Sequence, residues 1–462
     1  MLHCRRIRRK EAILNLAFPF RKLAVMCLSG ALLGIQGVPA KGQAATTAMA
    51  PISASPTAAR PASAAQQAYT LPPEKLAKAI ALSRIRNILD IADSIWGLGF
   101  LWLLLALRSW SGLERWAQRI SSRRWVQGLV FFAAFIIIIS LADLPLSLIG
   151  QHYSRAYGIS VEGWGSWFGD VGKSLGLSLA IGAPILLLFN WIVRKWPQRY
   201  WLVAWAVTLP IMMVSILAEP LFEPLFDKFE PLQKSNPALV AKLEKVVART
   251  GTNIPPDRMY LMKASLKTNG LNAYVTGIGS TKRIVVWDTT AGQIPDDEVL
   301  FVFGHESGHY VLHHIPKGIA CYSVALFFIY WACAAFARWM VRRFGARWGA
   351  TELSSRTGFV VLLFAIMLAG FLLEPASNAF SRYFEHQADV YGQEAIHGIV
   401  PDPQKTAVAS FNALGAAWLD DPNPNPFIEF WLYNHPSTQH RAEFAMHYDP
   451  WKNGGHGEFF KN

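Results

Sequence analysis

Residues 305–309 have the sequence His-Glu-Ser-Gly-His, which places two histidines four positions apart and a glutamate beside the first. If this segment is helical, the two imidazole rings lie on one face of the helix. Two imidazoles in this arrangement can hold a Zn²⁺ ion, and Glu306 can then take a proton from water at the metal. The pattern is typical of a zinc hydrolase. The alternative is a buried helix whose histidines only satisfy hydrogen bonds.

The residues before this motif favour a buried helix. Pro295 suits a first helical position, and the acidic residues 296–298 place negative charge in the first turn. The apolar run 299–303 follows directly. We therefore expect a helix that carries both imidazoles into a protein interior rather than into bulk water.

A catalytic zinc ion usually has three protein ligands and an open position for water, so two histidines leave the site one ligand short. The best candidate is Glu385, which is followed four residues later by Asp389. On a helix both carboxylates would share one face, so one could bind the metal while the other orients a histidine N–H. The alternative is a solvated acidic stripe beside Arg382.

Three further histidines compete with Glu385 for the role of third ligand. His313 would lie on the same helix face as His309 but about 6 Å further along the axis, as a neighbour rather than a ligand. His386 would point about 100° away from Glu385, so the two side chains cannot easily face one metal. For His314 the sequence leaves the question open.

The composition predicts an integral membrane protein. Of 462 residues, 52% are hydrophobic and only 16% are charged, whereas an ordinary soluble chain is about a quarter charged. The apolar residues are concentrated in runs close to the ~20 residues that cross a bilayer core. We predict six spans, at about 91–107, 125–149, 174–193, 201–218, 319–341 and 357–380.

The net charge of +13 is concentrated in short loops between the predicted spans, so we predict no nucleic-acid partner. Lys and Arg number 5, 3 and 5 in the loops 108–124, 194–200 and 338–356, against 4 and 2 in the opposite segments 75–90 and 150–173. The positive-inside rule then places the Arg-rich loops in the cytoplasm and the histidine motif on the periplasmic side.

The first 74 residues look like a targeting segment followed by a linker. Residues 1–44 combine a basic cluster with an apolar stretch, which is typical of a signal peptide or an uncleaved signal anchor. Residues 45–74 form an Ala-, Ser- and Pro-rich linker. The four cysteines have neither metal-ligand spacing nor the pattern of a disulfide framework; they are Cys4, Cys27, Cys321 and Cys333.

The rest of the chain alternates between membrane and soluble parts. We predict four spans in an N-terminal region 75–218, two more in 319–382, and two soluble parts, 219–318 and 383–462, that together carry the site. Residues 236–250 are amphipathic and predicted to be helical. Three short strands are predicted in the first soluble part, at 258–262, 273–278 and 283–288.

Several blocks of sequence, taken in order, resemble one protein family. They lie at residues 143–147, 180–186, 224–229, 231–232, 272–274, 282–285, 288–289, 305–309, 381–382, 385, 388–389, 434–436 and 441. Together they resemble the type I CAAX prenyl proteases, which are integral-membrane zinc metalloproteases of the gluzincin class. The resemblance extends from about residue 85 to residue 447.

The resemblance implies a mainly α fold, in which polytopic transmembrane helices carry a zincin-like α+β metalloprotease domain with a short sheet and the H-E-x-x-H helix. The implied ligands of one Zn²⁺ per chain are His305, His309 and Glu385. The implied catalytic residues are Glu306 as general base, Asp389 as support and proton donor, and His435 as stabiliser of the oxyanion. The implied substrate-binding residues are Asn272, Ala273 and Arg441. Asn272 and Ala273 would lie on an edge strand to which the substrate backbone adds. Without the resemblance, His435 is only a turn histidine and Asn272 an ordinary strand-edge residue.

The predicted function is a membrane-embedded zinc metalloendopeptidase acting on peptide or protein substrates beside the lipid bilayer. A catalytically silent scaffold or quality-control adaptor of the same fold is the main alternative, and the complete set of proposed ligands argues against it. A transporter would need ionisable groups lining the spans. The few candidates lie near span ends; they are Asp90, Asp93, Asp143 and Glu374.

The predicted location is a bacterial inner membrane, because the N-terminus resembles a signal sequence. The side that carries the site is open at this stage. The family is usually drawn with its metal domain facing the cytosol, whereas the charge count favours the periplasm.

Overall fold

The structure, a computed structural model, describes residues 67–277 and 279–461. The predicted signal segment 1–44 and residues 45–66 of the predicted linker lie outside the described residues. From residue 67 onward the predicted linker packs on the C-terminal part of the chain. Tyr69 is fully buried, and its hydroxyl donates to the backbone carbonyl of Asp420 at 3.2 Å.

The N-terminal half is built from long apolar helices joined by short loops. In order they are α1 Pro73–Ala106, α2 Ser109–Ile120, α3 Arg124–Ala156, α4 Trp164–Lys195 and α5 Tyr200–Phe222. A π turn, Ser178–Gly182, interrupts α4. The short α2 carries a buried Trp110, which packs with Phe135 of α3 in the core between the long helices.

A small α+β region follows α5. Its elements are β1 Phe229–Pro231, α6 Leu232–Ser235, α7 Pro237–Thr250, β2 Met259–Met262, β3 Ala273–Thr276, β4 Arg283–Trp287, α8 Asp288–Gln293 and α9 Asp296–Val311. The remaining helices are α10 His314–Trp348, α11 Arg356–Ile396, α12 Pro403–Trp418, α13 Pro426–Leu432 and α14 Thr438–His447.

Six helices of the described chain are long and apolar enough to cross a membrane, namely α1, α3, α4, α5, α10 and α11. This confirms the six predicted spans. The last of them, α11, has 41 residues, so it continues well past the ~20 residues that a bilayer core requires. Its C-terminal end therefore reaches into the soluble part of the molecule.

The sheet has four strands in the order β1-β2-β4-β3. β2 runs parallel to β4, whereas β1 and β3 pair antiparallel with their neighbours, and Ala273 lies opposite Val286. β3 therefore forms an edge of the described sheet. β2, β3 and β4 lie at the predicted places. β1 was not predicted, because three residues ending in Pro231 are too short to show the alternation of a strand.

Helix α9 is buried between the sheet and α11. Its first turn is acidic as expected, but Pro295 precedes the helix rather than occupying its first position, and its carbonyl accepts from the Glu298 N–H at 3.0 Å. Val299, Leu300 and Phe301 are each at most 1% exposed. The apolar run thus anchors α9 and fixes where its last two turns lie.

The soluble part sits at one end of the membrane helices. The loop between α3 and α4 pairs with the segment before β3, where the Val161 N–H donates to the Lys267 carbonyl at 2.9 Å. At the opposite end, the Arg108 guanidinium donates to the carbonyls of Ala346 and Arg347 at 3.0 and 2.8 Å. The Arg-rich loops 108–124 and 338–356 therefore meet at the end of the spans away from the sheet, and the third loop is near them because the charge of Arg194 acts on Arg356.

Candidate metal centre

Two helices approach each other closely where α9 passes α11, and glycines make this approach possible. A Cβ atom added at Gly392 would lie 2.8 Å from the backbone nitrogen of His305. One added at Gly304 would lie 3.0 Å from the Gly392 carbonyl oxygen. Backbones this close place the side chains of α9 and α11 within reach of a common point.

The side chains of His305, His309 and Glu385 converge at that point. The two histidine Nε2 atoms are 3.1 Å apart, and Glu385 places Oε2 3.2 Å from His305 Nε2 and Oε1 3.5 Å from His309 Nε2. One potential ligand atom from each residue lies within 4.8 Å of the others. The glutamate predicted as the third ligand thus lies beside the two histidines.

This cluster fits a divalent cation by its chemistry. Glu385 is 7% exposed, and its Oε2 atom accepts no hydrogen bond within the described part of the chain. A buried carboxylate oxygen without a donor is costly, and a cation would compensate that cost. Two imidazole nitrogens and one carboxylate are also the ligand set of a catalytic zinc site with an open position.

His305 is oriented by a buried carboxylate on its other ring nitrogen. Its Nδ1 lies 2.8 Å from Asp389 Oδ1, so Nδ1–H donates to Asp389 and Nε2 faces the cluster. Burial lowers the pKa of His305, but the hydrogen bond to Asp389 and the negative charges of Asp389 and Glu385 outweigh it and raise that pKa to about 9. A cation that binds at Nε2 would have to displace the proton that the charged ring carries on that nitrogen.

Arg441 holds Asp389 in turn. The guanidinium donates to both carboxylate oxygens of Asp389, at 2.6 and 2.9 Å, and its Nη2 lies 3.8 Å from Glu385 Oε2. Its side chain is 14% exposed. Arg441, which was predicted to bind substrate, lies behind His305 as the partner of Asp389.

Glu306 and His435 complete the surroundings of the cluster. Burial raises the pKa of the half-buried Glu306, while the charges of His305 and His309 lower it. His435 Nε2 lies 3.3 Å from Glu385 Oε1, and its Nδ1 lies 2.8 Å from Asn434 Oδ1. Burial lowers the pKa of His435 to about 4, so its ring is neutral near pH 7.

Asn272 and Ala273 lie apart from the donor cluster. Ala273 begins the edge strand β3, which packs alongside α9. The backbone of Asn272 bonds to Thr290, with both Asn272 N–H and its carbonyl 2.7 Å from the Thr290 hydroxyl. Their contacts are thus with β4 and α8.

The competing histidines have different places. α9 ends at Val311, and His313 is exposed with a left-handed φ of 56°, so the prediction that His313 shares a helix face with His309 was wrong. His386 is exposed and packs on Phe444. His314 is the histidine that contacts the site, with its Nδ1 3.1 Å from His309 Nδ1. Sequence periodicity could not find it, because a new helix begins at His314.

A largely buried His-His-Glu cluster at one end of a set of membrane helices, with a glutamate beside the first histidine, defines an integral-membrane metalloprotease. The model of Peptidase family M48 matches residues 233–449, and that of the CAAX prenyl protease N-terminal region, five membrane helices, matches residues 56–228. The chain is 32% identical to the metalloprotease YhfN of Bacillus subtilis over 386 residues, covering 82% of this chain and 88% of that protein. The chain belongs to Peptidase family M48.

Two further comparisons agree with this membership. CAAX prenyl protease 1 of Saccharomyces cerevisiae is 29% identical over 336 residues, covering 68% of this chain and 71% of that protein. The crystal structure of S. mikatae Ste24p matches with a TM-score of 0.69 over 81% of this chain and 89% of that chain. At 24% identity this structural match supports the fold alone. The predicted fold class and the predicted metalloprotease activity are confirmed.

Proposed function

We propose that this protein is a zinc endopeptidase with one Zn²⁺ per chain, held by His305, His309 and Glu385. The single observation that carries the proposal is the convergence of these three donors on one point, with a buried Glu385 oxygen that accepts no hydrogen bond within the described residues. When bound there, zinc supplies Lewis-acid chemistry, polarising the scissile carbonyl and acidifying water.

The other residues of the site then have distinct tasks. Glu306 takes a proton from the attacking water and delivers it to the leaving amine. Asp389, held by Arg441, keeps His305 in the orientation that presents Nε2 to the cluster. This pairing supports a positioning role for Arg441 in place of the predicted contact with substrate.

His435 is proposed to stabilise the negative charge on the carbonyl oxygen. To donate from Nε2 as a neutral ring, His435 must carry its proton on Nε2, so its Nδ1 must accept a hydrogen bond from a neighbouring donor. A rotation of the Asn434 amide, which lies 2.8 Å from Nδ1, would supply that donor. Oxyanion contacts of this type are typically worth 10²–10³-fold in rate, about 2.7–4 kcal/mol.

The substrate is proposed to bind as an extra strand on β3, along Asn272 and Ala273. β3 is the edge of the described sheet and lies next to α9, so an added strand would run past the donor cluster. Peptide or protein substrates, including membrane-associated ones, fit this mode. Comparing the proteomes of cells that carry the parental enzyme or Glu306→Gln would identify the substrates.

Metal analysis of the detergent-purified chain tests the ligand set. The parental protein should contain close to one equivalent of zinc, whereas His305→Ala and Glu385→Gln should lose it because each removes a ligand. His386→Ala is the matched control, since this exposed histidine is the neighbour of Glu385 in sequence. Full zinc occupancy in Glu385→Gln would remove Glu385 from the ligand set.

We further propose that the site faces the periplasm of a bacterial inner membrane. The donors lie at the end of the spans opposite the Arg-rich loops, and those loops favour the cytoplasm. Single cysteines at Glu244 and Arg119, both exposed, would report the two sides in a cysteine-free background. A membrane-impermeant maleimide added to intact spheroplasts should label Glu244→Cys and not Arg119→Cys. The reverse pattern would place the site in the cytosol.

A further inference from the structure

His309 contacts a second histidine on the side of its ring that faces away from the donor cluster. His309 Nδ1 lies 3.1 Å from His314 Nδ1, and His314 Nε2 lies 3.1 Å from Gln387 Oε1. Gln387 Nε2 donates to the Tyr383 hydroxyl at 3.3 Å. These contacts form a chain of polar groups from α9 through the start of α10 to α11.

With the Gln387 amide in the orientation described, the chemistry of these groups sets where the protons lie. Gln387 Oε1 can only accept a hydrogen bond, so His314 carries its proton on Nε2. A neutral His314 then has a bare Nδ1, which accepts from His309 Nδ1–H. His309 is left with a lone pair on Nε2, the atom that faces His305 and Glu385.

The His314 ring, whose Nδ1 atom is the acceptor, is held in a fixed orientation. The His314 ring stacks on the Phe384 ring with centroids 4.2 Å apart and an angle of 6° between the planes. His314 is 3% exposed, so water competes little for its nitrogens. Phe384 and Gln387 both belong to α11 and flank Glu385, so the helix that carries the third donor also fixes the partner of the second.

We propose that His314, held by Gln387 and Phe384, is a positioning residue that orients His309 for metal binding. It would do for His309 what Asp389 does for His305, but with a neutral hydrogen-bond chain instead of a charged pair. This inference rests on the proposed function, because it assumes that His309 is a ligand. His314 itself lies against the far nitrogen of His309 and is not part of the donor cluster.

Metal affinity tests this role more directly than activity does. We would measure it on the purified full-length chain by competition with a chelator, and follow the visible absorption of the Co²⁺-substituted protein. His314→Phe keeps a ring against Phe384 and removes the acceptor, so its affinity should fall roughly 10–100-fold. His314→Asn offers an amide oxygen near the position of Nδ1 and should recover most of the loss. Gln387→Leu should give a smaller loss.

His397→Phe is the matched control, because His397 is also a stacked histidine but packs on Trp451, with centroids 3.7 Å apart. Its affinity should equal the parental value. Parental affinity and an unchanged Co²⁺ spectrum in His314→Phe would overturn the proposal, as would a His314→Asn variant no better than His314→Phe. If His314→Phe does not fold, Gln387→Leu decides: unchanged affinity overturns the proposal, and weakened binding supports it. A parental chain that binds no metal would instead overturn the proposed function.

Discussion

Glu306 is the residue whose side chain is proposed to change its protonation during each cycle. It is half-buried beside His305 and His309, in a setting where burial favours its protonated form. We predict that Glu306→Gln keeps its metal but turns over at least ~100-fold more slowly, because general-base catalysis typically contributes 10²–10⁴-fold. Peptide cleavage and metal content should be measured on the same preparation. A metal-loaded Glu306→Gln enzyme with the parental rate would exclude Glu306 as the base.

Asp389 is buried between His305 and Arg441, and both of its oxygens are used. Asp389→Asn should weaken metal binding roughly 10–100-fold, because the amide orients His305 less strongly. It should also lower the unfolding temperature, since Arg441 would lose its buried counter-charge. Chelator competition and thermal unfolding measure the two effects. Asp257→Asn, an exposed change, should leave both unchanged.

At the scale of elements, the spacing between α9 and α11 depends on glycine. A methyl group at Gly392 would lie 2.8 Å from the His305 backbone nitrogen and 3.0 Å from its Cα atom, so one of the two helices would have to move. We predict that Gly392→Ala destabilises the protein by about 1–3 kcal/mol and weakens metal binding, although alanine is the better helix former. Thermal unfolding with and without added zinc measures this.

Gly172→Ala is the control for that prediction. Gly172 also lies inside a helix, but a Cβ atom there would meet nothing within 4 Å. Its unfolding temperature should equal or exceed the parental value. If Gly392→Ala behaves in the same way as Gly172→Ala, the close approach of α9 and α11 is not what holds the donors together.

Local patterns predicted most of the elements that matter here. The apolar runs gave the six spans, and the acidic turn followed by the apolar run gave α9, because each signal lies within a short stretch of sequence. The pairing of His314 with Gln387 could not be predicted in this way. The two residues are 73 positions apart and meet only because α10 and α11 return to the same end of the membrane.

At the scale of the whole molecule, Asp420 joins the first described residues to the C-terminal helices. It accepts from the Thr438 hydroxyl at 2.7 Å, and its Oδ1 accepts no hydrogen bond within the described residues. Burial raises the pKa of Asp420 to about 6, and the negative charge of Asp421 adds to the rise. The hydrogen bond from Thr438 and the positive charges of Arg86 and Arg441 lower this pKa but do not outweigh burial. The folded state therefore holds this proton more tightly than the unfolded state.

The consequence is a loss of stability as the pH rises from about 4, the ordinary pKa of the carboxyl group, to about 6. Asp420→Asn removes this titration and should gain stability relative to the parent between pH 4 and pH 7, by up to roughly 3 kcal/mol. Unfolding temperatures of both proteins at the two pH values test this. If the unfolding temperatures of the parent and of Asp420→Asn change with pH in the same way, the prediction is contradicted. The control, Asp257→Asn, should show the same pH dependence of the unfolding temperature as the parent.

The contact between Tyr69 and Asp420 also shows where sequence reasoning stops. Composition alone assigned residues 45–74 to a linker, and a single aromatic residue near its end carries little weight in such an assignment. The fully buried Tyr69 ring packs against residues about 350 positions away, where a Cβ atom at Gly415 would lie 2.8 Å from it. Only the assembled molecule provides that surface.

His309 Nε2 and Glu385 Oε1 lie 3.5 Å apart, yet the chain between them leaves the site through α10 and returns to it through α11. During translation both histidines leave the ribosome before this hairpin, and the carboxylate leaves after it. A nascent chain with the hairpin still uninserted has only two of the three donors. With the proposed ligand set, peptide cleavage therefore requires that α10 and α11 have already folded back to bring Glu385 beside the two histidines.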